Sequence, residues 1–194
     1  HGADRPYPAS ICTAVNDEVV HGIPNENPRI LKEGDIISID FAVSHKGLIT
    51  DMAVTVPVGK ISSELEELLA TTKSALMAGI KAAKGGCRVG DISSAIELMG
   101  ISKGYGVVED LAGHGVGYSV HEEPFLPNYG EPGKGLVLKP GAVIAIEPMF
   151  NLDSKDVVFD QKDGYTYRTK DGKPSAHFEH TVLITKSEAE ILTL

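Results

Sequence analysis

The chain has 194 residues, 42% hydrophobic and 23% charged, so one medium domain, or at most two small ones, has ample material for a core. A formal charge of −9 argues against nucleic acid as the main partner, because a phosphate backbone calls for a basic face. Cys12 and Cys87 are too few for a disulfide scaffold, nothing reads as a signal peptide, and no apolar run nears the ~20 residues that span a bilayer, so a reducing, cytoplasmic setting is expected.

The chain starts at His rather than Met, and His1-Gly2-Ala3-Asp4-Arg5-Pro6 reads as the continuation of an earlier segment. Residues 9–15 alternate as a short strand, and Asn16-Asp17-Glu18 forms a turn. Val19-Val20-His21-Gly22-Ile23-Pro24 is a second strand that breaks at Gly and Pro, with His21 where strand meets loop. A histidine there is open to a structural or a functional reading. Residues 25–28 read as loop.

Residues 36–43 form a strand and 48–58 its return, around His45-Lys46-Gly47. Side chains alternate, so Ile37, Ile39, Phe41 and Val43 share a face with Met52, Val54 and Val56, which is expected to be core. Ser38, Asp40 and Ala42 share the other with Asp51, Ala53 and Thr55. Asp40 and Asp51 face each other if the turn centres on His45-Lys46, and sit on a diagonal if it centres one residue later. Either way two like charges lie within roughly 4.5–8 Å, which destabilises a sheet unless something positive lies between them. A divalent cation meets that need; so does a solvated face with one hydrogen-bonded Asp.

Residues 61–84 carry an apolar stripe at helical spacing, through Leu65, Leu68, Leu69, Ala75, Leu76, Ile80 and Ala83, with Ser62 or Ser63 as N-cap and Gly85-Gly86 as the stop. A second helix is expected from Asp91 as N-cap to about Lys103. Val107-Val108 begins a strand, and glycines then flank His114, where they let the backbone bring a ligand close. The pattern is no phosphate loop, since G-x-G-x-x-G and the P-loop Lys are absent. His114 and His121 can line one pocket from two sides of a turn. Residues 125–139 read as loop. Glu147 ends the apolar strand at 142–150, and Glu179 sits within another at 176–184, each explicable by a salt bridge or a metal. Residues 160–173 form a polar hairpin and 188–194 a last strand. The acidic strands of the two halves echo each other, as in a duplicated half-domain around a shared cavity. Four carboxylates with one or two imidazoles suit two divalent ions ~3.5–4 Å apart and a water whose pKa falls toward 7, hence metal-assisted hydrolysis.

The segments Val19–Pro24, Ile39-Asp40, Thr50-Asp51, Gly113–Gly117, His121–Pro124, Ile146–Pro148 and Phe178–Thr181 resemble the motif series of methionine aminopeptidases, type I, from about Pro6 to the C-terminus. That resemblance implies an α+β pita-bread fold, a pseudo-two-fold antiparallel sheet covered by helices, occupying 1–194 as one domain without the family's usual N-terminal helical extension. It implies Asp40, Asp51, His114, Glu147 and Glu179 as ligands of two divalent ions (Mn, Fe(II), Co or Zn), with Asp51 and Glu179 bridging them. It further implies attack by a bridging hydroxide, Glu147 as proton carrier, His121 on the scissile carbonyl, and His21 on the neighbouring amide. Tyr7, Cys12, Val120 and Tyr165 match methionine-pocket positions, although many members carry Phe and Trp where Val120 and Tyr165 stand. The implied substrates are nascent polypeptides and peptides with N-terminal Met. The expected partners then include the ribosome but no nucleic-acid motif or membrane, and the chain is expected to be a monomer. The alternatives are a Xaa-Pro peptidase of the same fold and a non-catalytic pita-bread binding protein, the latter disfavoured because all five ligand positions are filled.

Overall fold

A computed structural model describes residues 5–26 and 28–193; the expected chain start, loop position Asn27 and strand end Leu194 lie outside them. In chain order the strands are β1 (Cys12–Val15), β2 (Glu18–Val20), β3 (Ile36–His45) and β4 (Leu48–Pro57), followed by helices α1 (Ser63–Ala82) and α2 (Val89–Lys103). Then come β5 (Gly106–Val107), β6 (Ala112–Gly115), β7 (Glu122–Pro127), β8 (Val143–Ile146), β9 (Met149–Asn151) and β10 (Val157–Phe159). The last are β11 (Tyr167–Thr169), β12 (Ser175–His177), β13 (Glu179–Ile184) and β14 (Ala189–Ile191). An antiparallel sheet runs β1-β3-β4-β13-β8-β6-β7, with β14 on β13; smaller sheets are β10-β11-β2 and β12-β9-β5.

The β3–β4 turn is Lys46-Gly47, both at positive φ (51° and 82°) as a tight hairpin of this handedness requires, so Asp40 pairs with Ala53 and Asp51 with Ala42. The two aspartates therefore lie on the diagonal. The face expected to be core is the less enclosed one. Ser38, Asp51, Ala53 and Thr55 are buried, whereas Val43 and Leu48 are exposed and Ile37, Ile39, Phe41 and Met52 only partly covered. The cause is where the helices pack: α1 lies on β8, β9, β12 and β13, so only Val54 of the apolar face joins the core beneath it. The small polar face instead closes against the second half of the chain.

Helix α1 follows its stripe. Ser62 accepts from the Leu65 N–H as N-cap, and Leu68, Leu69, Ala75, Leu76 and Ile80 are buried. Helix α2 begins earlier than expected, with Arg88 as N-cap; Asp91 sits three residues in and accepts the Arg88 N–H at 2.7 Å. Part of the expected 125–139 loop is strand, because β7 pairs with β6. The expected 176–184 strand breaks at Phe178, where the chain passes from one sheet to another.

Two threonines tie the halves together. The Thr181 hydroxyl accepts the Asp51 N–H and donates to the Asp51 carbonyl, both at 2.8 Å. The Thr55 hydroxyl accepts the His177 N–H at 2.8 Å and donates to its carbonyl at 2.7 Å. These clamps flank the Ala53–Glu179 pair symmetrically on β4 and its partner, replacing ladder bonds with side-chain ones. Since Thr55 spends its proton on His177, Ser38, 2.8 Å away, must be the donor between those two hydroxyls.

Thr181→Val removes one clamp and leaves a buried N–H and C=O unpaired, which is expected to cost about 1–3 kcal/mol, while Thr181→Ser retains most of it. Urea denaturation of the metal-free chain checks this; a Val variant as stable as the parent contradicts the clamp.

Candidate metal centre

Cross-strand register assembles the site. Cys12 pairs with Asp40, Asp40 with Ala53, and Ala53 with Glu179, so a row across β1, β3, β4 and β13 places these side chains on one face. Glu147 lies one step beyond the His180–Ile146 pair, which extends the row onto the end of β8. Asp51 lies two residues along from Ala53, His177 two before Glu179, and His114 opposite Ala145. Ala53, with a single methyl group, leaves the centre of the row open between carboxylates.

The flanks of His114 explain its placement. A Cβ on Gly113 would lie 2.4 Å from the Ala145 carbonyl oxygen, and one on Gly115 2.2 Å from that of Glu123. Only glycine lets β6 approach β8 and β7 so closely. The His114 Nδ1 lies 2.9 Å from the Gly115 carbonyl, which accepts its proton and leaves Nε2 as a lone-pair donor. That Nε2 is 3.3 Å from Glu147 Oε1, an acceptor facing an acceptor unless a proton or cation intervenes. Ligand atoms of Asp51, His114 and Glu179 all lie within 4.8 Å of one another, and all three residues are buried. Asp51 Oδ1 and Glu179 Oε1 are buried without a hydrogen-bond partner.

Electrostatics follow from this crowding. Burial raises the Asp40 carboxyl to about 7, with Asp51 and Glu147 adding to the shift. Burial and the same neighbours push the Asp51 and Glu179 carboxyls up. Burial works the same way on Glu147, but the imidazoles of His114 and His177 against its two oxygens override it and hold that carboxyl at about 2. The His114 and His177 imidazoles are raised because Glu147 outweighs their burial, while burial lowers His21 and His121. Orphaned carboxylate oxygens beside an imidazole lone pair form a donor set that fits divalent cations.

Of the remaining expected residues, His121 stacks edge-on against His114 with ring centroids 4.4 Å apart. His21 has φ 60°, a strained angle for a non-glycine residue, and its ring meets Tyr167 at 6.3 Å. Tyr7 donates to the Gly22 carbonyl at 2.6 Å and packs edge-on against Tyr165 at 5.0 Å, whose hydroxyl donates to the Arg5 carbonyl. Cys12 is partly buried beside Asp40, and burial pushes its thiol up to about 12, so it presents a neutral, soft surface. Val120 is half-buried in the turn before His121. Sequence reading passed over His177, whose Nε2 lies 3.4 Å from Glu147 Oε2. Its signal was available: two residues before Glu179 in extended chain, it must face the same side.

Residues 1–186 match the model of metallopeptidase family M24. The chain is 48% identical over 187 residues to methionine aminopeptidase 1 of Bacillus subtilis, covering 96% of this chain and 74% of that protein. The crystal structure of a methionine aminopeptidase from Thermotoga maritima superposes with a TM-score of 0.91 at 47% identity, covering 94% of this chain and 73% of that one. A prolidase from Pyrococcus horikoshii superposes less well, at a TM-score of 0.75 and 26% identity over all of this chain and 49% of that one.

An acid harder to ionise in the fold adds stability below its ordinary pKa and loses it as pH rises through the folded value. For Asp40 that window runs from 3.8 to about 7. Asp51, Glu179 and the raised His114 and His177 act in the same direction; His21 and His121 oppose them, and the depressed Glu147 opposes them only below its ordinary value of 4.5, at the foot of the window. With chelator present, the melting midpoint is expected to fall as pH rises across that window, and excess divalent cation to abolish the fall. A midpoint that climbs with pH in chelator contradicts this.

Proposed function

We propose a residue-level mechanism for a chain that belongs to metallopeptidase family M24, among its methionine aminopeptidases. The chain has that family's pita-bread fold. It is a metallo-aminopeptidase that depends on divalent metal ions and removes the N-terminal methionine from peptides. The observation that carries the mechanism is the buried triad of Asp51, His114 and Glu179, whose orphaned oxygens call for positive charge.

In this reading Asp40, Asp51, His114, Glu147 and Glu179 would hold two divalent ions, with Asp51 and Glu179 serving both, Asp40 one, and His114 with Glu147 the other. When bound, the ions polarise the scissile carbonyl and lower the pKa of water at the centre. Glu147 stays ionised between two imidazoles and so can accept the proton of the attacking water. It returns that proton to the leaving amine as the carbon–nitrogen bond breaks. His121, set against His114 at the mouth, donates to the oxygen that gains charge as the carbonyl becomes tetrahedral. His21, held by its strained backbone, orients the amide that follows. Tyr7, Cys12, Val120 and Tyr165 receive the methionine side chain, for which two aromatic rings and a neutral thiol are suited. The low identity to the prolidase leaves Xaa-Pro specificity without support.

Further proposals concern setting. Nascent polypeptides are the natural source of N-terminal methionine, which makes proximity to the ribosome part of the reading. Two free cysteines fit a reducing cytoplasm, and a site drawn from one chain fits a monomer. Residues 1–194 are taken as one catalytic domain. No helix among the described residues is long and apolar enough to cross a membrane.

The purified chain, reloaded with Mn, Co or Fe(II), is expected to release free Met from a Met-Ala-Ser peptide; a folded, two-equivalent complex that releases none with any of the three sinks the reading. Asp51→Asn is expected to lose two-metal binding in calorimetry, and unchanged stoichiometry removes the shared role of Asp51. His121→Ala is expected to raise the barrier by roughly 2–4 kcal/mol while leaving metal affinity nearly unchanged. Near-normal turnover refutes that role.

A further inference from the structure

His177 has no role in the mechanism above beyond its proximity to Glu147. Its side chain is 2% exposed, and neither ring nitrogen makes a hydrogen bond. A buried imidazole left unpaired is costly, so its surroundings must be read for what it meets in the working state. Its backbone is fixed on both sides by the Thr55 hydroxyl, which Ser38 holds in turn. The ring therefore projects from a backbone whose N–H and C=O are both held.

What it projects toward is Glu147. His177 Nε2 is 3.4 Å from Glu147 Oε2, while His114 Nε2 is 3.3 Å from Oε1, so the carboxylate lies between two imidazoles, one at each oxygen. The Glu147 carbonyl also accepts from Asn128 Nδ2 at 3.1 Å, which anchors the backbone beneath it. The two imidazoles are not equivalent. His114 has given its Nδ1 proton to Gly115, and its Nε2 is available to a cation. His177 has no such carbonyl partner, and no pull moves its proton away from Nε2. At 3.4 Å the pair is longer than an ordinary hydrogen bond and is not aligned as one, and a small turn of the ring or the carboxylate completes the contact.

We propose that His177 is a positioning residue for Glu147: its Nε2–H holds Oε2 and thereby fixes the rotation of the carboxylate so that Oε1 is presented to the metal centre. The proposal rests on the reading that Glu147 serves that centre. Once His114 turns its lone pair to a cation, His177 is the imidazole left facing Glu147 among the described residues. Without it, the carboxylate is free to rotate away from both its ligand and its proton-carrying tasks. Partners of this kind set ligand orientation without touching the metal.

The test compares His177→Gln, which keeps a donor of similar reach, with His177→Leu, which keeps volume but no donor. Divalent-cation affinity and stoichiometry are read by calorimetry on the metal-free chains, and kcat and KM on Met-Ala-Ser with the loaded ones. His177→Leu is expected to bind the wild-type number of equivalents with affinity weakened about 10–100-fold, and to lose kcat by a similar factor with KM nearly unchanged. His177→Gln is expected to recover most of both. Wild-type affinity and kcat in His177→Leu overturn the proposal. So does loss of one metal equivalent in both variants, which makes His177 a ligand, and equal impairment of both, which makes it packing alone. Should the Leu chain not fold, His177→Asn, whose amide is too short to reach Oε2, takes its place with the same expectations. A wild-type chain that releases no Met overturns the hydrolytic reading instead, and the affinity comparison still judges His177.

Discussion

Four carboxylates on one face of a sheet are an electrostatic problem before they are an active site. Two unit charges ~4 Å apart repel by about 4 kcal/mol at the effective dielectric of a protein site, several times the net value of an ordinary hydrogen bond. Asp51 and Glu179 have ligand atoms within 4.8 Å of each other, Asp40 and Glu147 add to the charge that Glu179 feels, and Asp51 and Glu179 each carry a buried oxygen with no partner. The protein holds them there only by raising some of their pKa values and surrounding Glu147 with imidazoles. Particular contacts of the fold hold this crowding in place, where divalent cations would relieve it.

The means are backbone devices. Threonine clamps fix Asp51 and His177 from opposite halves of the chain, so two groups of the centre cannot drift apart. Gly113 and Gly115 let the strand bearing His114 press against its neighbours on both sides. The Gly115 carbonyl then selects the tautomer that leaves Nε2 open. Ala53 keeps the middle of the row clear. The apolar helices do their work elsewhere, beneath β8 and β13, and leave the concave face to polar chemistry.

What was legible in the sequence were features with a local cause. Alternation placed Asp40 and Asp51 on one face, glycines marked His114, and a Glu at or in each of two apolar strands gave Glu147 and Glu179. The stripe and cap of α1 read directly as well. What was not legible depended on partners distant in the chain. Whether Asp40 and Asp51 paired directly or diagonally turned on one residue of turn register, which alternation does not fix. The hairpin's apolar face was expected to be core because apolar faces usually are, but burial is set by where the helices land. Asp91 looked like an N-cap because local chemistry does not distinguish the cap from the residue three places later that completes it. For His177 the spacing to Glu179 gave the face but not the task, because its neighbours Thr55 and Glu147 lie 122 and 30 positions away and only the fold brings them to it.

The most direct test of this account is a crystal structure of the chain soaked with Mn(II), with metal positions taken from anomalous scattering. The account predicts two peaks on the concave face, both within ligand distance of Asp51 and Glu179, one also beside Asp40 and the other beside His114 and Glu147. Peaks confined to exposed acidic residues, with the Asp51 and Glu179 oxygens still unpartnered, would contradict it.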